Sequence, residues 1–238
     1  MVVNLPTKHV GILACSAEGA ALCYRTICNE APQLLGPYMH PEVTMHTYPL
    51  GAYMVSAQEN GNNWSAVAEI MYSSCQKLEA TGVDIIVCPD NTIHEAYDKV
   101  AARVKPVWLH IAQVVTDEAK SKAFKKIGVL GTKYLMEGPV YPSRLEPAGI
   151  AHLTPSAQQR ERINQIIFDE LVSAKFSKES LAYFVSVIEE LRSKGCDAVV
   201  LGCTEIPLLV SPEDSPLPTL DSTRLLARAA IRASINYQ

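Results

Sequence analysis

No stretch of these 238 residues approaches the ~20 apolar positions of a membrane span. The longest apolar runs, such as Ile85–Cys88 and Ala198–Leu201, are of strand length. The opening MVVNLPTKHV lacks the charged head and apolar segment of a signal peptide. Together these absences predict a cytoplasmic chain with no membrane partner. Nor is there a Lys/Arg-rich stripe interleaved with aromatics, and with a net charge of −4 the chain is not expected to bind nucleic acid. Seven cysteines are an odd number and show no CxxC spacing, and no HxxxH occurs, so neither a zinc site nor a disulfide framework is expected. Most of these thiols are expected to be buried as small hydrophobes. What is present is an apolar majority: 48% apolar against 19% charged residues excludes a disordered chain and supplies a sizeable core.

That apolar content is organised as short runs alternating with longer segments of helical period. Strands are expected at Val10–Ala14, His46–Tyr48, Val83–Cys88, Val107–Ile111, Ile127–Leu130 and Ala198–Leu201. Helices are expected at Glu18–Glu30, Trp64–Ala80, Thr92–Val104, Arg160–Ser173, Leu181–Lys194 and Ser222–Ile235. Thr92-Ile-His-Glu95 has the spacing of a capping box. Strands alternating with helices imply parallel sheets covered by helices, an α/β fold.

An internal repeat divides the chain. Residues 73–93 lie on residues 186–206 without a gap, with Leu78/Leu191, Gly82/Gly195, Asp84/Asp197, Val87/Val200 and Ile93/Ile206 identical. Val10-Gly-Ile-Leu matches Ile127-Gly-Val-Leu at a similar offset. The repeat predicts two pseudo-symmetric parallel-sheet α/β domains, with the active site between them at the carboxyl ends of the strands. The expected division is 1–112 plus 220–238 for the first domain, with a returning C-terminal helix, and 113–219 for the second.

The matched strands lead into Cys15-Ser16, Asp90-Asn91-Thr92, Thr132-Lys133 and Cys203-Thr204-Glu205. Asp90 and Cys203 are counterparts under the repeat. An acid and a thiol aimed at one carbon from opposite faces are what stereochemical inversion requires, one removing a proton while the other delivers one. Each residue also has a plain structural use: Asp90 in a turn, Cys203 as a buried thiol, Thr92 as a helix cap, Ser16 as a turn hydroxyl. The repeat favours chemistry because it brings both groups to one structural address.

Gly202-Cys-Thr-Glu-Ile-Pro-Leu-Leu209, preceded by Asp197-Ala-Val-Val-Leu, closely resembles the second catalytic motif of the aspartate/glutamate racemase superfamily. Asp90-Asn-Thr-Ile-His94 resembles its first motif, usually Cys-Asn-Thr-x-His, and Leu220-Asp-Ser-Thr223 its carboxy-terminal motif. Gly11-Ile-Leu with Ser16, Glu18 and Tyr24-Arg25 is similar to the amino-terminal motif, and Gly131-Thr132 to the start of the second domain. The resemblance implies an amino-acid racemase or epimerase that uses no cofactor and no metal, a small amino acid or related carboxylate as partner, and a homodimer. It assigns the second catalytic thiol to Cys203. Asn91, Thr92 and Thr204, with Ser16, Thr132 and Lys133, would hold the substrate, and Glu205 would orient the thiol.

The sequence departs from this pattern at three places. Asp90 stands where the first catalytic cysteine would be, Leu226 where many members carry histidine, and Pro49–Met54 holds no arginine. An ordinary carboxyl loses its proton about four to five pH units below an ordinary thiol. One turnover by carboxylate plus thiol therefore leaves the protons exchanged at a cost of roughly 6 kcal/mol. Burial, a helix terminus or Lys133 would have to narrow that gap in a two-way racemase. A one-way decarboxylase, a cis–trans isomerase using the thiol as nucleophile, and a binding protein without turnover remain alternatives.

Overall fold

The computed structural model describes residues 7–58 and 63–235. Residues 1–6, read above for the absence of a leader, lie outside them. The described chain forms two compact units, one made of residues through Ile111 together with those from Thr223 onward, the other of Ala112–Ser222.

The first unit holds β1 (Val10–Ala14), β2 (Val43–Thr47), β3 (Ile85–Val87) and β4 (Val107–Leu109) in the order β2-β1-β3-β4, all parallel. The second holds β5 (Lys126–Leu130), β6 (Ala151–Leu153), β7 (Ala198–Leu201) and β8 (Thr219–Asp221) in the equivalent order β6-β5-β7-β8, again all parallel. Parallel neighbours need long crossovers. Helices Ala17–Glu30 and Trp64–Glu79 serve the first sheet, and Ala157–Asp169 and Lys178–Ser193 the second. The two α/β sheets of the repeat are therefore present, with one strand order. The inner strands β1 and β7 are buried along their whole length, as sheets covered on both faces require.

The residues identical between the repeats do the same work twice. Gly82 and Gly195 lie just past the helices Trp64–Glu79 and Lys178–Ser193 at φ +80° and +85°, a left-handed conformation that a side chain would strain. Asp84 accepts the His9 N–H at 2.9 Å, and Asp197 accepts those of Lys125 and Lys126 at 2.7 and 3.2 Å. Each carboxylate thus satisfies donors at the amino end of the neighbouring strand. Leu78 and Leu191 are buried in their respective cores.

Several elements differ from expectation. The edge strands β6 and β8 were not anticipated; they are three residues long, and Ala151-His-Leu and Thr219-Leu-Asp carry too little apolar pattern to register. Because Leu220 and Asp221 pair with Val200 and Leu201 in the second sheet, the chain leaves that unit at the final helix rather than at residue 220. That helix, Ser222–Ile235, is anchored in the first unit by bidentate Arg228–Glu30 contacts at 2.6 and 2.9 Å. Helices Leu50–Gln58 and Ile111–Ser121 add to the pattern. Among the described residues, no helix is long and apolar enough to cross a membrane.

Candidate functional site

At the carboxyl end of β1 the chain turns at Cys15 and enters its helix through Ser16, whose Oγ accepts the Gly19 N–H at 3.2 Å. The hydroxyl predicted to contact substrate is therefore a helix cap, and that bond uses its oxygen rather than its proton. At the end of β3, Asp90 is partly exposed while Asn91 is buried. Asp90 Oδ1 accepts the Ile93 N–H at 3.0 Å.

This corrects the expected capping box. Thr92 opens a five-residue 3₁₀ turn, Thr92–Ala96, followed by the helix Tyr97–Ala101, and the side chain that caps the turn is that of Asp90. The His94 N–H goes to the Asn91 carbonyl at 3.3 Å. Two backbone N–H groups at the start of this turn are thus consumed within the loop. Glu95, the other half of the expected box, is partly buried, and that burial raises its carboxyl.

In the second unit the loops after β5 and β7 touch at Gly131 and Gly202, where the Gly202 N–H donates to the Leu130 carbonyl at 2.8 Å. A Cβ on Gly202 would lie 2.5 Å from the Leu130 oxygen and 2.7 Å from Leu135 Cδ2. Only glycine lets the chain pass here and deliver Cys203 to the strand end. Gly202→Ala is expected to cost about 1–3 kcal/mol of stability. Thermal unfolding measures the loss.

Beyond Gly202 the partly exposed Cys203 donates its S–H to Glu205 Oε2 at 2.9 Å, and the buried Thr204 donates its O–H to the same oxygen at 3.0 Å. Glu205 is 2% exposed, and its Oε1 has no hydrogen-bond partner among the described residues. A carboxylate is rarely buried unless its oxygens are satisfied. Here one oxygen collects two donors, and the other supplies unused acceptor capacity beside the thiol.

Thr132 caps the helix Lys133–Glu137, its hydroxyl oxygen accepting the Leu135 N–H at 3.2 Å. Lys133, the first residue of that helix, is tied to the helix Ala157–Asp169. Its backbone N–H donates to Asn164 Oδ1 at 2.9 Å, and its Nζ pairs with Glu161 at 2.9 Å on the exposed face of the helix Ala157–Asp169. That ion pair raises the ammonium of Lys133 and turns it toward a carboxylate outside the loops that carry the thiol.

Three groups received no role from sequence. His94 donates from Nδ1 to the Asp90 carbonyl at 2.6 Å. Tyr141 is fully buried, with its phenol hydrogen-bonded to Ser222; burial, which outweighs that bond, holds the phenol well above the usual range. Tyr53 is 2% exposed, packs in one core cluster with Cys15, Cys75 and Cys88, and has no partner for its hydroxyl among the described residues. Burial, followed by the neighbouring Cys88, Cys15 and Asp90, keeps the Tyr53 phenol protonated. The signal available was a single tyrosine in the helix Leu50–Gln58, which spacing cannot distinguish from core. Removing an orphaned buried hydroxyl relieves its desolvation cost. Tyr53→Phe is therefore expected to gain about 1–3 kcal/mol. For a domain pair of this size, that raises the unfolding midpoint by several degrees in a calorimetric scan.

Residues 12–230 match the family model described as Asp/Glu/Hydantoin racemase. The broad specificity amino-acid racemase RacX of Bacillus subtilis (strain 168) is 28% identical over 162 residues, covering 68% of this chain and 70% of that protein. Among solved structures, a Yersinia pestis protein presented as a candidate Asp/Glu racemase superposes with a TM-score of 0.85 at 31% identity. It covers 94% of this chain and 98% of its own. An aspartate racemase homologue from Pyrococcus horikoshii OT3 gives 0.80 at 26% identity, over 94% of this chain and 98% of that one.

Proposed function

Because the chain belongs to the Asp/Glu/hydantoin racemase family, we propose that it is a cofactor-independent racemase or epimerase of an amino acid or closely related carboxylate. Asp90 and Cys203 serve one substrate carbon as its two proton-transfer groups. The observation that carries this reading is the thiol of Cys203, set at the end of β7 with its proton directed onto the buried carboxylate of Glu205. A thiol with a structural use alone needs no carboxylate beneath it, whereas a proton-transferring thiol gains an orientation and an acceptor. Asp90 occupies the matching position after β3. Its capping bond to Ile93 fixes the carboxyl without removing its capacity to take a proton.

In the forward half-reaction the Asp90 carboxylate removes the Cα proton. The S–H of Cys203 protonates the opposite face, leaving aspartic acid and thiolate. Charge that builds on the substrate carboxylate as the proton leaves needs preorganised donors; Asn91 and Thr92 follow Asp90 in its loop and are proposed to supply them, the Thr204 O–H being directed onto Glu205. Lys133 is omitted, since its ammonium is already engaged by Glu161. The relative from Bacillus subtilis, a broad specificity amino-acid racemase, supports an amino-acid substrate whose side chain is loosely specified. The absence of arginine between Pro49 and Met54 is in keeping with that.

The test is incubation of the protein in deuterium oxide with individual D- and L-amino acids, read by proton NMR at Cα. Deuterium enters both enantiomers with the wild-type chain, and Asp90→Asn suppresses entry from one of them. Absence of incorporation across the amino acids and their 2-substituted carboxylate analogues would overturn the proposal.

A further inference from the structure

The imidazole of His94 is used at both nitrogens, and both bonds hold backbone. Nδ1 lies 2.6 Å from the carbonyl oxygen of Asp90, which can only accept, so Nδ1 carries the proton. Nε2 lies 3.4 Å from the backbone nitrogen of Ile111, a long contact in which the N–H donates and Nε2 must present its lone pair. The ring is therefore the neutral Nδ1–H tautomer. It is 3% exposed, stacked on Tyr97 at 5.9 Å and met edge-on by His110 at 4.7 Å and Trp108 at 6.4 Å. Ile111 opens the helix Ile111–Ser121, along which the chain leaves the first unit.

We infer that His94 is the positioning residue of Asp90, an inference that rests on the proton-transfer role proposed for that carboxyl. The Asp90 side chain is tied from below by the Ile93 N–H, and its own carbonyl is tied by the imidazole. With main chain and carboxyl both fixed, the carboxylate is held at one position and angle after β3. A ring locked between aromatic neighbours transmits that restraint from the start of the helix Ile111–Ser121. Loss of the imidazole frees the Asp90 carbonyl and lets the carboxyl drift by fractions of an ångström. Proton transfer by that group alone then suffers, because a misplacement of that size is costly.

The consequence is a one-sided defect. Cα–H exchange is measured in deuterium oxide for each enantiomer separately, with Asp90→Asn as the reference for which enantiomer depends on Asp90. His94→Ala is expected to slow that enantiomer about tenfold or more, leaving the other within about twofold. His94→Asn, whose amide N–H can stand in for Nδ1–H, recovers most of the loss. His94→Gln, whose amide extends toward the position of Nε2, does not. Should His94→Ala fail to fold, the contrast between the asparagine and glutamine variants decides the matter in the same assay. Equal slowing of both enantiomers, no slowing, or rescue by glutamine instead of asparagine overturns the positioning role. A reference Asp90→Asn that leaves both enantiomers unaffected overturns the proton-transfer reading itself, and the inference with it.

Discussion

Cys203→Ser abolishes inversion of both enantiomers, and exchange of the Cα hydrogen from the enantiomer whose proton the thiol removes, with a fall of about a thousandfold or more. The substitution changes one atom and little of the packing, since Cys203 is partly exposed and only packs against the edge of the second core. The serine hydroxyl can still donate to Glu205, so the loop is expected to hold its shape and the unfolding midpoint to stay where it is. What is lost is acidity: an alcohol cannot release a proton near neutral pH as a thiol can. The same residue should dominate chemical modification. Cys75 and Cys88 are buried, the first pushed up to about 12 by desolvation and the second well above the normal thiol range for the same reason. At neutral pH neither presents thiolate to a reagent. Cys28 is half-buried and also raised by desolvation. Iodoacetamide is therefore expected to inactivate the protein in step with carbamidomethylation of Cys203, located by peptide mapping. Retention of full exchange by the serine variant would remove the thiol from the chemistry.

The inner strands were legible because they are buried on both faces. Val10–Ala14 and Ala198–Leu201 carry unbroken apolar runs, and both appear with those bounds. The repeat was legible for a different reason: Gly82/Gly195 and Asp84/Asp197 answer backbone requirements that recur in each sheet, so they recur in sequence. Edge strands answer weaker requirements, with one neighbour and partial exposure, and Ala151–Leu153 and Thr219–Asp221 left little trace. Within the site, position along the chain was readable but the direction of a side chain was not. Lys133 stands at a strand end as expected, yet its long stem carries the ammonium to Glu161. Thr92 has the spacing of a cap, yet the carboxylate two residues earlier is the one that accepts an N–H of the turn, that of Ile93. The orphan hydroxyl of Tyr53 rests on the absence of a partner among the described residues, and the engagement of His94 Nε2 on a backbone nitrogen 17 residues away; no local pattern encodes either.

Glu205→Gln separates the two duties a buried carboxylate beside a thiol can have. The amide oxygen can still accept from Cys203 and Thr204, so orientation survives. The amide NH₂ must then occupy the site of Oε1, where no partner waits among the described residues, at a stability cost of about 1–3 kcal/mol. Charge does not survive. When Cys203 acts as acid, its own S–H goes to the substrate and Glu205 need only aim it. When Cys203 must act as base, its proton has first to leave, and Oε2 at 2.9 Å is placed to receive it, giving thiolate and carboxylic acid with no change in net charge. A neutral amide cannot take that proton. Exchange should therefore fall by about a hundredfold for the enantiomer whose Cα–H is removed by Cys203. The enantiomer opened by Asp90 should be slowed several-fold at most. Glu205→Ala, which removes orientation and acceptor together and strips the Thr204 hydroxyl of its partner, should depress both. The pattern is the mirror of that expected for His94→Ala, so the two variants measured side by side in deuterium oxide assign each enantiomer to its own half of the chain. A glutamine variant that slows both enantiomers equally would reduce Glu205 to a packing role and leave the release of the thiol proton to solvent.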